Sequence, residues 1–335
     1  MAHDARPFDV TTQSSHLLPD SVIVAPMAGV TDQPFRNVCR AWGARLVVSE
    51  MIHADVRLWH RTKSRNRLRF GDEAGLRWIQ IAGAEPAMLA EAARLAEDAG
   101  ADVIDINMGC PVKKVCNRAA GSALMRDEPL IGRILGAVAG AVDVPVTLKT
   151  RLGWSWEEMN GARVAQIAEG QGISLVTIHG RTRACRFKGD ADYQGIAEIN
   201  DAVGIPVVAN GDITSVERAL EVRKITGCSR VMVGRGTLGR PWFAREIEAA
   251  ISGEAFDAPG PDAVRGIMLG HLDALHCFYG ERLGVPIARK HVGWFLDWLP
   301  GTKPVRAAFN RLETAAEQLE LIESAKLAVE VEEAA

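Results

Sequence analysis

The chain alternates short apolar runs with longer segments whose apolar residues recur at helical spacing. Eight runs read as strands: residues 21–27 (SVIVAPM), 44–51 (ARLVVSEM), 77–83 (RWIQIAG) and 102–109 (DVIDINMG), then 144–151 (VPVTLKTR), 174–181 (SLVTIHGR), 205–213 (IPVVANGDI) and 230–236 (RVMVGRG). Several are rich in Val and Ile without strict alternation, as expected of parallel strands buried on both faces. Helical segments lie between them, such as 215–227 (SVERALEVRKITG) and 86–101 (PAMLAEAARLAEDAGA), the latter opened by Pro and punctuated by Gly near its end. Successive strand ends are spaced at roughly the 30 residues of a β-α-β unit. The pattern predicts an α/β fold, a (β/α)8 TIM barrel, with a doubly wound open sheet as the structural alternative.

Past residues 240–253 (RPWFAREIEAAISG) the composition shifts to a Pro/Gly-containing linker, 254–263, and no strand-like run follows it. The expected organisation is an N-terminal tail (1–20), a barrel catalytic domain (21–253) and an all-helical domain (254–335). In the helical part, Trp294, Phe295 and Trp298 fall at helical spacing and read as core. Arg289, Lys290, His291, Lys303, Arg306 and Arg311 read as a basic contact surface.

Composition adds constraints rather than a function. Hydrophobic residues make up 47% and charged residues 24%, which describes a globular chain with a sizeable core. The net charge of −3 gives no global basic excess, so any nucleic acid must bind a local basic surface. The six cysteines form no C-x-x-C pair, which points to reduced thiols. The first residues lack a signal peptide's apolar core, and no apolar run approaches the ~18 residues of a membrane span. A cytoplasmic protein without membrane attachment is expected, with a monomer as the assumed state.

In a barrel the active site lies at the C-terminal ends of the strands. Here those ends carry Met27, Glu50, Gln80, Asn107 with Cys110, Lys149, His179 with Arg181, Asn210 with Asp212, and Gly234 with Arg235. The last two ends combine glycines with Arg235, a pattern suited to phosphate; tight turns are the plainer explanation. Lys149 closes an apolar strand and could be a Schiff-base nucleophile, a cation facing an anionic ligand, or a rim residue. Gln80 is a neutral group able to read an amide edge. Cys110 could be a nucleophile, a metal ligand, a proton donor or a small buried hydrophobe. No second Cys or His stands at ligand spacing, so no metal is expected. Lys113, Lys114 and Arg118 suit either a solvated loop or the rim of a site for a polyanion.

Taken together, APMAGVTDQPFR, VSEM, IQIAG, DINMGCPVKKV, GSALMRD, TLKTRLGW, IHGRTRACRFKG, VVANGDI and MVGRGTLGRPW resemble bacterial tRNA-dihydrouridine synthases, most closely the B type. The resemblance runs from about Ser21 to near Lys326. It implies an FMN-dependent barrel with a helical tRNA-binding domain, reducing the C5=C6 bond of uridines in the tRNA D-loop with NADPH. By matching position, Pro26, Met27 and Ala28 would line the flavin, Gln80 would bond its ring, and Lys149 would face its N1/C2=O edge. Asn210, Gly211, Asp212, Gly234 and Arg235 would hold the ribityl chain and phosphate, while Asn107, His179 and Arg181 would position substrate. Hydride would pass from flavin N5 to uracil C6, and Cys110 would protonate C5. A uracil in folded tRNA must first leave its stack. Cys116 departs from the family pattern, and the first 20 residues have no counterpart. Rival readings are a dihydroorotate dehydrogenase-like enzyme for free pyrimidines, a Lys149 aldolase, and a non-catalytic RNA-binding barrel.

Overall fold

The structure is a computed structural model describing residues 21–71, 73–111, 120–325 and 327. The N-terminal tail, Lys113, Lys114, Cys116 and Arg118 lie outside the described residues. The chain divides into two compact units. One runs to Gln33 and resumes over Arg45–Gly234; the other joins Pro34–Ala44 to the residues from Arg235 onward. The division precedes the compositional break at 254, because Trp242 belongs to the helical unit's core.

The first unit is built on β1 (Val22–Val24), β2 (Leu46–Val47), β3 (Ile52–His53), β4 (Trp78–Ala82) and β5 (Val103–Asn107), followed by β6 (Val146–Arg151), β7 (Leu175–His179), β8 (Val207–Asn210) and β9 (Arg230–Val233). All pairings are parallel, in the order β2-β1-β9-β8-β7-β6-β5-β4-β3. Val48 closes the ring. Its N–H donates to Val24 O at 3.0 Å, and it bridges to Trp78. All eight predicted strands form, but the second is split into β2 and β3. The break contains Glu50, a buried carboxylate that accepts from Gly29 N–H at 2.5 Å and Arg67 Nη2 at 3.1 Å. A charge at that depth requires such partners, and they lie away from the strand ladder.

Helices Pro86–Asp98, Glu128–Ala139, Gly161–Gly170, Tyr193–Asp201 and Val216–Thr226 alternate with the later strands. Asp127, Asp192 and Ser215 cap three of them by accepting from Leu130, Gly195 and Arg218 N–H. Inside the ring, Ile23, Leu46, Val48, Trp78, Val103, Leu175, Val208 and Met232 form an apolar floor. Side chains alternate along a strand, so residues two positions on share that inner face. There the lining becomes polar, with Gln80, Asp105, Thr177 and Asn210.

The second unit contains helices Phe243–Ser252, Pro261–Tyr279, Glu281–Asp297, Lys303–Phe309 and Ala315–Ser324. Met268, Leu272, Leu275, Val292, Phe295 and Leu296 supply much of its core. Phe295 is buried as expected, but Trp298 is 50% exposed. Its indole N–H donates to Leu238 O at 2.8 Å, and Arg240 lies 4.6 Å from its ring centroid. His291 is buried, not part of a basic surface. It packs edge-on against His271, with ring centroids 4.9 Å apart. Among the described residues, no helix is long and apolar enough to cross a membrane.

Candidate active site

The polar lining starts on three adjacent strands. Trp78 Nε1–H donates to Thr147 Oγ1 at 3.2 Å, and Thr147 donates to Asp105 Oδ1 at 2.6 Å. Gln80 Nε2 donates to Asp105 Oδ2 at 2.6 Å, and Asn107 Nδ2 donates to Gln80 Oε1 at 2.8 Å. Asn107 Oδ1 then accepts from Cys110 N–H at 3.0 Å and from Gly109 N–H at 3.3 Å. The turn bearing Cys110 is thus tied to the barrel interior by its own strand-end asparagine. Ser122 Oγ secures its other side by donating to Cys110 O at 3.0 Å. The Cys110 side chain is only partly covered.

Lys149 stands beside Asn107 in the register of β5 and β6, and its Nζ donates to Asn210 Oδ1 at 3.0 Å. Asn210 Nδ2 in turn donates to Met232 O at 2.8 Å, which fixes the amide. Burial first, and then Arg151, lowers the Lys149 pKa to about 8, against the attraction of Asp105 and Cys110. Burial raises Asp105 to about 6, opposed by its bonds to Thr147 and Gln80 and by Lys149. Burial thus pushes both groups toward their neutral forms, while each favours the charged form of the other.

Further out, Arg181 and Asp212 are spent on each other. Arg181 Nη1 donates to Asp212 Oδ1 at 2.9 Å and Nη2 to Asp212 Oδ2. The remaining guanidinium N–H groups reach Lys188 O, Gly189 O and His179 Nε2. All five donors are in use. Because a guanidinium only donates, His179 Nε2 is an acceptor and the ring carries its proton on Nδ1. Asp212 occupies a left-handed backbone at φ 50° and also accepts from Ala191 N–H at 3.0 Å. Gly211 before it is needed at φ 133°, where a Cβ would lie 2.8 Å from Ala191 Cβ and 3.1 Å from His179 Cδ2.

Pro26, Met27 and Ala28 form the turn after β1, held by Met27 N–H to Thr31 Oγ1 at 2.9 Å. Gly234 follows β9, and a Cβ there would meet Ala25 Cβ and Met27 Sδ at 3.7 Å. Arg235 is exposed and opens the 3-10 turn Arg235–Thr237. Gln80, Asn107, Cys110, Lys149, His179, Arg181, Asn210 and Asp212 are joined through three bond networks and the pairing of β5 to β8. Asp105, Thr147 and Arg151 were missed. Arg151, buried, donates through Nε to Gly109 O at 2.6 Å and through Nη1 to Thr182 and Arg186 O at 3.0 Å each. Their signal was register: each stands two residues along its strand from a residue already singled out. Among the described residues, no group of three or more His, Cys, Asp or Glu could hold a metal ion.

A closed ring of parallel strands with polar groups gathered at its C-terminal ends defines an α/β barrel of the enzyme kind. The fold is similar to histamine dehydrogenase from Rhizobium sp. 4-9, with a TM-score of 0.52 and 16% identity over 76% of this chain and 48% of that one. It is also similar to a morphinone reductase mutant solved with tetrahydroNAD, with a TM-score of 0.51 and 12% identity over 76% and 93% of the two chains. The model of the dihydrouridine synthase family matches residues 23–332. The chain belongs to that family. It is 56% identical over 299 residues to tRNA-dihydrouridine synthase B of Pseudomonas aeruginosa, covering 89% of this chain and 90% of that protein. It is 52% identical over 307 residues to the protein of the same name from Shewanella oneidensis, covering 91% and 95%.

Proposed function

We propose that this chain reduces the C5=C6 bond of uridines in tRNA, with flavin mononucleotide as cofactor, NADPH as reductant and Cys110 as the general acid. The observation that carries the proposal is the Cys110 turn, anchored by Asn107 on the inner face beside Lys149.

The lining fits a flavin. Lys149 supplies a cation for an electron-rich ring edge. Gln80 gives one Nε2 N–H to Asp105 and its oxygen to Asn107, leaving its second N–H for a ring acceptor. Pro26, Met27 and Ala28, in the turn after β1, are assigned to line the flavin. Gly234 keeps the wall beside Met27 free of a side chain, and Arg235 supplies charge for a phosphate together with Asn210 and the Gly211 backbone. Asp212 is committed to Arg181, so we assign both to holding the rim and orienting His179. Bound there, the flavin supplies the hydride that reduces uracil C6.

Cys110 supplies the proton at C5 from its thiol. Asn107 and His179 Nδ1–H orient the pyrimidine, which enters after leaving its stack. We assign the tRNA backbone to Lys303 and Arg311, exposed in the helical unit, and to the half-buried Arg289 and Lys290.

The test is Cys110→Ala assayed on tRNA transcript lacking dihydrouridine. Loss of a general acid lowers the rate by about 10²- to 10⁴-fold, while flavin content and tRNA affinity stay near wild type. Undiminished reduction by the variant, or turnover of free uridine without tRNA, would overturn the assignment.

A further inference from the structure

The hydrogen bonds around Asp105 have a direction, and that direction constrains the residue. At one end stands the Trp78 indole N–H, which can only donate, and it donates to Thr147 Oγ1. At the other end stand the backbone N–H groups of Gly109 and Cys110, which also only donate, both to Asn107 Oδ1. Between them each link passes donation inward. Thr147 directs its proton to Asp105 Oδ1 at 2.6 Å in preference to Ile104 O at 3.5 Å. Asn107 donates to Gln80, and Gln80 donates to Asp105.

A chain with donors at both ends needs a member that accepts on both sides. An amide cannot be that member, because it accepts on one side and donates on the other. A protonated carboxyl is limited in the same way, and either one holds the chain only by taking the short Thr147 bond away. An ionised carboxylate satisfies every bond while Thr147 keeps its 2.6 Å bond to Asp105; with an amide or an acid at 105, Thr147 itself would have to accept twice and send its proton to Ile104 O at 3.5 Å.

We infer that Asp105 is a positioning residue, the double acceptor whose carboxylate fixes the orientation of the Gln80 and Asn107 amides and through them the turn that carries Cys110. If residue 105 offered an amide, the conflict could be relieved by flipping Gln80 and then Asn107. Asn107 would then turn its NH2 group toward the two backbone N–H groups and release the turn. The catalytic meaning of the role rests on the proposed function of Cys110, whereas the role itself concerns the turn. Asp105 is 2% exposed and touches Gln80 and Thr147 through separate oxygens.

The direction of the bonds supplies its own rescue. In Asp105→Asn, either one bond of the chain is mismatched or Thr147 exchanges its 2.6 Å bond for the 3.5 Å one to Ile104 O. Adding Gln80→Glu moves the double acceptor one place along: Asn at 105 accepts from Thr147 and donates to Glu at 80, which also accepts from Asn107. Every bond is then satisfied again. Gln80→Glu alone sets two acceptors face to face and is mismatched in the opposite sense.

The measurement is the rate of Cys110 alkylation by iodoacetamide in the full chain at one fixed pH, resolved by peptide mass spectrometry. The exposed Cys277 serves as internal standard. Asp105→Asn is expected to speed labelling of Cys110 by about tenfold, the size of one mismatched buried bond. The double variant is expected to return it to within about twofold of the original chain. If Asp105→Asn fails to fold, a folded double variant with near-original labelling supports the role as strongly. A single variant labelled at the original rate, or a double variant no closer to the original than the single, would overturn it. Because labelling does not depend on turnover, these outcomes are separate from the fate of Cys110 as the acid.

Discussion

Gly211 shows how little freedom the rim has. Its φ of 133° and its closeness to Ala191 and His179 leave no place for a methyl group. Gly211→Ala should destabilise the chain by roughly 1–3 kcal/mol through backbone strain and overlap. A lowered melting temperature checks this, and an unchanged one would mean the β8 turn relaxes freely. The same scale shows which site residues were legible. Lys149, Asn107, His179 and Asn210 follow from the strand-end rule, because a polar group closing an apolar run stands out. Asp105 and Thr147 lie inside their runs, where burial hides them from any pattern of surface polarity; only the two-residue period places them beside Asn107 and Lys149. The mutual pairing of Arg181 and Asp212 was not legible, since it joins β7 and β8 loops whose spacing carries no sign of contact.

At the scale of elements, the strands were legible because parallel β-structure buried on both faces leaves continuous apolar runs. The split of the second strand was not, since it depends on where Glu50 finds partners. In the helical unit, periodicity located the helices but misassigned two faces. Trp298 has a polar end with a partner at the surface, and His291 reads as basic although it is neutral and enclosed. Burial lowers the pKa of His271 to about 3 and holds His291 well below its usual value, with His271 and Lys290 adding to the latter. The unfolded chain takes up these protons near pH 6.5, while the folded chain refuses them. Stability is therefore expected to fall as pH drops below about 6.5, by up to about 2 kcal/mol per histidine at pH 5. Urea melts at pH 7.5 and 5 test this, and His271→Phe should flatten the dependence. An equal slope in the variant would place the acid sensitivity elsewhere.

At the scale of the whole molecule, a net charge of −3 conceals local basic residues. Replacing Lys303 and Arg311 by Glu is expected to weaken tRNA binding regardless of sequence. It should also reduce the salt dependence by about one unit of slope for each lost phosphate contact. An unaltered slope would remove these two residues from the interface. The family is established by the match over residues 23–332, and the barrel by the parallel strands that Val48 joins into a ring. The chemistry proposed for that ring is tested most directly by the visible absorbance of the purified protein under anaerobic conditions. NADPH is added first, then tRNA transcript lacking dihydrouridine. A flavin spectrum that bleaches with NADPH and returns on adding tRNA, with dihydrouridine appearing in the RNA, is the expected result. A colourless protein that FMN does not reconstitute, or a bleached one that tRNA leaves unchanged, would contradict it.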